Sequence, residues 1–180
     1  MLFRSGIDLA IQAFNALRRP LKIIGSGPLA AQLKALAGPS VELLGWRSNE
    51  ELRQYYAACR ALIFPAQEDF GIVPLEANAA GRPVLALGLG GALETVIPAN
   101  DTRSPGIQHP RTDLPEAPTG VVFTSRTSAA LQEAVHFFEA HEALFCPAAL
   151  RRHALQFDRQ RFQQRIQQLL TEMLARHAAD

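Results

Sequence analysis

The sequence predicts an α/β domain of the three-layer, Rossmann-like kind, built on a parallel sheet. Short apolar runs typical of buried strands alternate with helical patterns along most of the 180 residues. The connecting loops are short, and repeated β-α order with short loops implies parallel strands joined by right-handed crossovers. A chain of this length with 48% apolar residues can bury one core, so we expect a single domain over residues 1–180.

The first third of the chain alternates between helix and strand. Apolar residues at helical spacing predict the first helix, which Pro20 ends. Ser48 followed by Glu51 is a capping box, which predicts the start of a later helix. In order, the predicted elements are a helix at 8–18, a strand at 21–24, a helix ending near 36, a strand at 41–44 and a helix ending near 58.

The same alternation continues beyond residue 60 and is interrupted once. The proline-rich stretch 98–119 has no period, which predicts a long surface loop. An amphipathic helix is predicted at 158–176, and we expect its apolar stripe to face the core, with part of it exposed. The other predicted elements are a strand at 61–64, a helix at 72–80, a strand at 84–87, a strand at 121–123 and a helix at 128–140.

Composition and charge exclude several classes of function. Lys and Arg number 18 against 17 Asp and Glu, without a basic aromatic cluster, so no nucleic acid partner is expected. No apolar run approaches the roughly 20 residues of a spanning helix, and no signal-peptide core begins the chain, so we expect a cytoplasmic protein. Neither Cys59 and Cys146 nor the scattered histidines have metal-ligand spacing, and we expect no metal and no cofactor.

Two glutamates, Glu68 and Glu76, flank a glycine turn between a predicted strand and a predicted helix. Glu68 lies in the loop at the carboxyl end of the strand, and Glu76 lies about one turn into the helix. Ligands of open α/β sheets bind at this edge, next to helix N-termini whose free N–H groups attract phosphate. Two carboxylates there can accept hydrogens from several hydroxyl groups, which suits a polyol. The alternative is a solvated loop residue and an exposed helix residue.

Five sequence runs together resemble one family, and they occur in the family's order. They are GSGP at 25–28, LLGWRSNEEL at 43–52, EDFGIVPLEANAAGRPV at 68–84, GGALETV at 90–96 and TGVVF at 119–123. The chain resembles the C-terminal, donor-binding domain of family 4 (group 1) retaining glycosyltransferases, which is one half of a GT-B fold. The resemblance implies that the chain binds a nucleoside-diphosphate sugar and that the whole enzyme transfers a hexosyl group to an acceptor.

The resemblance also implies roles for particular residues. Glu68 would contact the transferred sugar as the catalytic residue, and Glu76 would hold the ribose hydroxyls. Backbone N–H groups of Phe70, Gly71 and Ile72 would meet the sugar and the diphosphate. The remaining donor-binding residues are Gly27, as a close backbone approach, and Trp46 and Arg47, which would bracket the base. Gly27 could equally be a turn glycine, Trp46 a partly buried loop aromatic and Arg47 a surface charge.

Two departures from the family pattern keep other functions open. Ser5 stands where the family has a lysine that neutralises the diphosphate, and the N-terminal acceptor-binding domain is absent from this sequence. We therefore expect half of an enzyme, which is inactive alone. Any peripheral membrane contact, at the inner face of the membrane, would use the absent domain. The main alternative is a non-catalytic nucleotide-sugar-binding or interaction module that needs a partner chain. A nucleotide-sugar epimerase of the same fold is a weaker alternative, because nothing supplies its acid and base.

Overall fold

The computed structural model of the chain describes residues 5–100 and 117–177. Its strands are β1 Leu21–Ile24, β2 Val41–Gly45, β3 Leu62–Phe64, β4 Val84–Leu87 and β5 Gly120–Phe123. Its helices are α1 Ile7–Leu17, α2 Ala30–Leu36, α3 Asn49–Ala58, α4 Ile72–Ala79, α5 Ala92–Thr95, α6 Ser128–Ala140, α7 Pro147–Ala154 and α8 Arg159–His177. Two 3₁₀ turns, at Glu142–Leu144 and Leu155–Phe157, flank α7.

The predicted α/β class with parallel strands is confirmed. The predicted bounds of β4 and α6 agree with the structure, and the other predicted strands differ from it by a single residue at one end or not at all. The capping box is present as well, since the Ser48 hydroxyl accepts from the N–H of Glu51 and the Glu51 carboxylate accepts from the N–H of Ser48. The short helix α7 was not predicted.

The five strands form two parallel sheets. In one sheet β1 pairs with β2, in a register that sets Leu21 opposite Val41. In the other sheet β4 lies between β3 and β5, with Leu85 opposite both Ile63 and Val121. Within the described residues, no strand pairing joins the two sheets. They are held together by packing, because apolar residues of β1 and of β3 contact the same hydrophobic cluster.

Strand β4 marks the middle layer of the domain, since all four of its residues are buried. Leu85 and Leu87 point into the larger cluster, which the buried faces of α1 and α6 cover. Val84 and Ala86 point the other way, into a smaller cluster that includes Ala77 of α4. Side chains of a strand alternate between faces. Helices therefore cover both faces of this sheet, which is the three-layer arrangement.

The predicted loop 98–119 is described only at its two ends, because residues 101–116, which include His109, lie outside the described residues. Both ends run along β5. The N–H of Ala99 donates to the carbonyl of Gly120 at 2.8 Å, and the N–H of Thr119 donates to the carbonyl of Ile97 at 2.8 Å. The Asn100 side chain bonds both the N–H and the carbonyl of Val122. The two described ends of the predicted loop are therefore held by hydrogen bonds to each other and to β5.

The last helix is where predicted, but its apolar stripe does not face the core. The stripe residues range from 41% to 70% exposed. They are Phe162, Ile166, Leu169, Leu170, Met173 and Leu174. Because all of these side chains are exposed, the expectation of a core-facing stripe was wrong. Helix α8 contacts the 3₁₀ turn Leu155–Phe157 near its start. Among the described residues, no helix combines the length and the apolar character that crossing a membrane requires.

Candidate functional site

The two glutamates lie where the sequence places them, on either side of the start of α4. Glu68 follows β3 in an exposed loop, and Glu76 is an exposed residue of α4. The loop is anchored to the exit of β4: Glu68 forms a parallel bridge with Gly90, and its carbonyl accepts from the N–H of Gly91 at 2.8 Å. The backbone of the glutamate loop is therefore held while both carboxylates remain accessible.

The two neighbouring glycines, Gly90 and Gly91, are required by this close approach. A Cβ on Gly90 would lie 2.3 Å from the carbonyl oxygen of Glu68, and a Cβ on Gly91 would lie 2.3 Å from backbone atoms of Phe70. Real side chains do not approach backbone atoms so closely. The GG pair of the sequence motif thus lets the two loops pack backbone to backbone.

Helix α4 begins with unsatisfied backbone donors. Gly71 is its N-cap, with a φ of 83° in the left-handed region that glycine adopts without strain. The first N–H groups of a helix have no partner within it. In the described part of the chain, the N–H groups of Phe70, Gly71 and Ile72 have no hydrogen-bond acceptor. Phe70 and Ile72 are also exposed, so this helix end can receive an anion from solvent.

The other predicted site residues follow the carboxyl ends of β1 and β2. The N–H of Gly25 donates to the carbonyl of Gly45 at 2.9 Å, which brings the loops carrying Gly27 and Trp46 together. Trp46 is 71% exposed, so it is not a partly buried aromatic. Among the described residues, no hydrogen bond or ion pair joins these two loops to the glutamate loop.

The Arg47 guanidinium is already engaged within its own loop. It donates to the carbonyl of Trp46 at 2.9 Å, and its Nε lies 3.7 Å from Oε1 of Glu51. The Glu51 carboxylate also accepts from Ser48, which lowers the pKa of Glu51 below its usual range. To bind a ligand, the Arg47 guanidinium would have to exchange these contacts for new ones.

Tyr56 is a site residue that the sequence reasoning missed. Its hydroxyl donates to Oε2 of Glu76 at 3.0 Å. Burial, and then the nearby Glu76 carboxylate, raise the pKa of Tyr56, so the phenol stays protonated and acts as a donor. The two residues lie on different helices, α3 and α4, and no local sequence signal links them.

A second group of unpredicted residues supports Phe70. The Phe157 ring contacts the Phe70 ring edge-on, with centroids 6.1 Å apart, and also contacts His153. His153, which is buried on α7, donates from Nε2 to the carbonyl of Thr95 at 2.8 Å. The Thr95 hydroxyl donates to the carbonyl of Gly91. Helix α7 thus braces both loops of the site.

A largely apolar cavity of about 800 Å³ opens beside Glu76, between α4 and the start of α8. Its apolar lining includes Ile72 and Leu75 on one side and Phe157 and Phe162 on the other. Among the described residues, no three His, Cys, Asp or Glu side chains are grouped so that they could hold a metal ion.

Comparison with known proteins decides the family. The sequence profile of the family described as "Glycosyl transferases group 1" matches residues 2–137. The chain belongs to this family. The GDP-mannose-dependent alpha-(1-6)-phosphatidylinositol monomannoside mannosyltransferase of Mycobacterium tuberculosis is 35% identical over 111 residues, which cover 52% of this chain and 29% of that protein.

Solved structures match the fold over nearly the whole chain. Sucrose-phosphate synthase of Thermosynechococcus elongatus superposes with a TM-score of 0.73 and 25% identity, over 96% of this chain and 43% of that one. HepE of Anabaena, solved in complex with UDP-glucose, superposes with a TM-score of 0.62 and 23% identity, over 97% and 46%. This group 1 glycosyltransferase chain therefore spans less than half the length of the proteins it matches.

Proposed function

We propose that the chain is the donor-binding, C-terminal part of a retaining glycosyltransferase and binds a nucleoside-diphosphate sugar at the start of α4. The observation that carries this proposal is the set of N–H groups at Phe70, Gly71 and Ile72, which lack acceptors in the described residues and lie between two exposed glutamates. Donors at a helix N-terminus suit a diphosphate, and the flanking carboxylates suit the hydroxyls of a sugar and a ribose.

In this proposal each group acts on one part of the donor. The N–H groups receive the diphosphate, Glu68 accepts hydrogen bonds from the sugar, and Glu76 accepts them from the 2′ and 3′ hydroxyls of the ribose. When the diphosphate leaves, it carries negative charge toward the N–H groups, and positive, oxocarbenium-like charge develops on the sugar. Fixed charges and dipoles stabilise such charge only when the donor is held in a closed cleft. No general base on this chain is needed for donor binding.

The relatives support a nucleotide sugar as the ligand but differ in which one. One relative is named for GDP-mannose, and one solved neighbour holds UDP-glucose. We propose a hexosyl donor, and the titrations below determine which nucleobase the donor carries. The M. tuberculosis relative is named for a phosphatidylinositol mannoside, a lipid, which supports contact with a membrane for the whole enzyme. We propose that this contact is at the inner, cytoplasmic face.

Transfer to an acceptor would need a second, acceptor-binding domain. Orienting two reactants can contribute roughly 7 to 11 kcal/mol to the lowering of a barrier. We therefore expect the 180-residue chain alone to bind the donor weakly and to transfer no sugar at a useful rate. The alternative function, a non-catalytic binding module, is favoured by one observation: Ser5, where the family's lysine is expected, is exposed and uncharged.

The two glutamates provide the test, because they are assigned to different parts of the donor. A hydrogen bond to a charged acceptor contributes roughly 1.5 to 3 kcal/mol. Glu76→Gln should therefore weaken binding of the bare nucleoside diphosphate by about ten- to a hundredfold. Glu68→Gln should weaken the nucleotide sugar and leave the bare nucleotide nearly unchanged. Isothermal titration calorimetry with UDP, GDP, ADP and their sugars measures both effects.

A matched control is Glu133→Gln, which changes an exposed glutamate on α6, a helix that contributes no residue to the site. It should bind as the wild type does. Equal losses for the bare nucleotide in Glu68→Gln and Glu76→Gln would show that the roles are assigned wrongly. No heat from any of these ligands at millimolar concentration would favour the non-catalytic interaction module.

A further inference from the structure

We propose that Tyr56 is a positioning residue for Glu76 and thereby sets the affinity for the ribose. This inference rests on the proposed function, since it concerns the same carboxylate. Its basis is the 3.0 Å hydrogen bond from the Tyr56 hydroxyl to Oε2 of Glu76, which joins α3 to α4 beside the site. The two residues are twenty positions apart in the chain.

Tyr56 is held by the fold at both its backbone and its ring. Helix α3, which carries it, is fixed at its start by the Ser48 and Glu51 capping box. The Tyr56 ring packs against the smaller hydrophobic cluster, which contains Phe64 and Ala77. A tyrosine ring has only two side-chain torsions, so packing of the ring fixes the position of its hydroxyl.

Glu76 lacks such support of its own. It is exposed on α4, and the Tyr56 bond is the hydrogen bond that its side chain makes among the described residues. A long, exposed side chain loses rotamer entropy when it is held in one geometry. Tyr56 confines the carboxylate before a ligand arrives, and pre-organisation of this kind raises affinity by lowering the ordering cost of binding.

The bond occupies one carboxylate oxygen and leaves the other available. Oε2 accepts from Tyr56, while Oε1 has no hydrogen-bond donor among the described residues. Each carboxylate oxygen accepts two hydrogens. Oε1 and the second lone pair of Oε2 can therefore accept from the two adjacent hydroxyls of a ribose without displacing Tyr56.

The test is a double-mutant cycle on nucleoside diphosphate binding by the 180-residue chain. Tyr56→Phe keeps the ring and removes the hydroxyl. Loss of one intramolecular hydrogen bond that orders a side chain should weaken binding of UDP, GDP or ADP by about two- to tenfold. In a Glu76→Gln background, Tyr56→Phe should add much less than it does alone, because its effect passes through the carboxylate.

The control is Tyr55→Phe on the same helix. The Tyr55 ring lies under the Lys22 ammonium, whose nitrogen is 5.6 Å from the ring centroid, and away from Glu76. Tyr55→Phe should keep wild-type affinity. Thermal unfolding of every variant shows whether it is folded at the titration temperature.

The outcomes separate this inference from the proposed function. If the wild type binds a nucleotide and Glu76→Gln weakens that binding, but Tyr56→Phe binds like the wild type, only the positioning role is overturned and the proposed function stands. The same holds if the losses from the two substitutions are additive in free energy, since Tyr56 would then act independently of Glu76. A wild-type chain that binds none of the three nucleotides overturns both proposals.

Discussion

Gly91→Ala is the substitution that most sharply tests how the site is built. The Cβ would lie 2.3 Å from three backbone atoms of Phe70, its Cα, C and O. No rotamer change relieves an overlap with backbone, so the loop after β4 must move away from the loop after β3. That movement would lengthen or break the bond from the Gly91 N–H to the Glu68 carbonyl, which measures 2.8 Å.

The expected loss of stability follows from three terms. Overpacking in a buried place costs about 1 to 3 kcal/mol, and a lost hydrogen bond costs about 0.5 to 1.5 kcal/mol. The lower entropy of the unfolded chain offsets about 0.4 to 1 kcal/mol, because alanine is less flexible than glycine. The net destabilisation is about 2 kcal/mol, which lowers Tm by about 4 to 8 °C in a domain of this size. Thermal unfolding followed by circular dichroism measures it.

The matched control is the same exchange at Gly27, where a Cβ would meet nothing within 4 Å and φ is outside the left-handed region. Gly27→Ala should unfold at or slightly above the wild-type Tm. A Gly91→Ala variant that also unfolds at the wild-type Tm would refute the close packing of the two loops. The account of how Glu68 and Phe70 are held would then be wrong.

Two further substitutions test the core and the pH dependence of stability. Leu150→Ala should lower the free energy of unfolding in urea by about 2 to 5 kcal/mol, because Leu150 is fully buried on α7. The control is Leu155→Ala: Leu155 is 57% exposed, so this change should alter the free energy of unfolding by less than about 0.5 kcal/mol. Equal effects would show that α7 does not contribute to the core. Hydrogen bonding from Arg19 lowers the pKa of Glu139 in the folded protein. The ion pair therefore stabilises the fold above pH 4.5, the pKa of Glu139 in the unfolded chain, and this stabilisation is lost as the pH falls through the lower pKa of the folded state. Unfolding titrations from pH 7 down to about pH 3 should therefore show that the wild type loses more stability than Glu139→Gln, and parallel curves would contradict the ion pair.

Local signals explain what could be predicted from the sequence. The Ser48 and Glu51 capping box is complete within four residues, and the glycine turn at Gly71 lies directly before an alanine-rich helix. Such short-range patterns determine helix starts without help from the rest of the fold. The site segment from Glu68 to Glu76 was therefore placed correctly on a loop and a helix.

The features that were missed depend on contacts between distant parts of the chain. Helix α7 is polar on average, and its place depends on the burial of Leu150 and on the bond from His153 to Thr95, 58 positions away. The bond between Tyr56 and Glu76 likewise joins two helices. The exposed stripe of α8 was misjudged because amphipathic spacing predicts an apolar face but does not identify what covers it.

The most direct measurement of the central claim is an NMR titration of the ¹⁵N-labelled 180-residue chain with the nucleoside diphosphates and their sugars. If the donor binds at the start of α4, the amide signals of Phe70, Gly71 and Ile72 should shift most, together with that of Glu76. The signals of α6, on the other side of the larger hydrophobic cluster, should stay in place. Saturable shifts confined to other regions, or no shifts at millimolar ligand, would contradict the account.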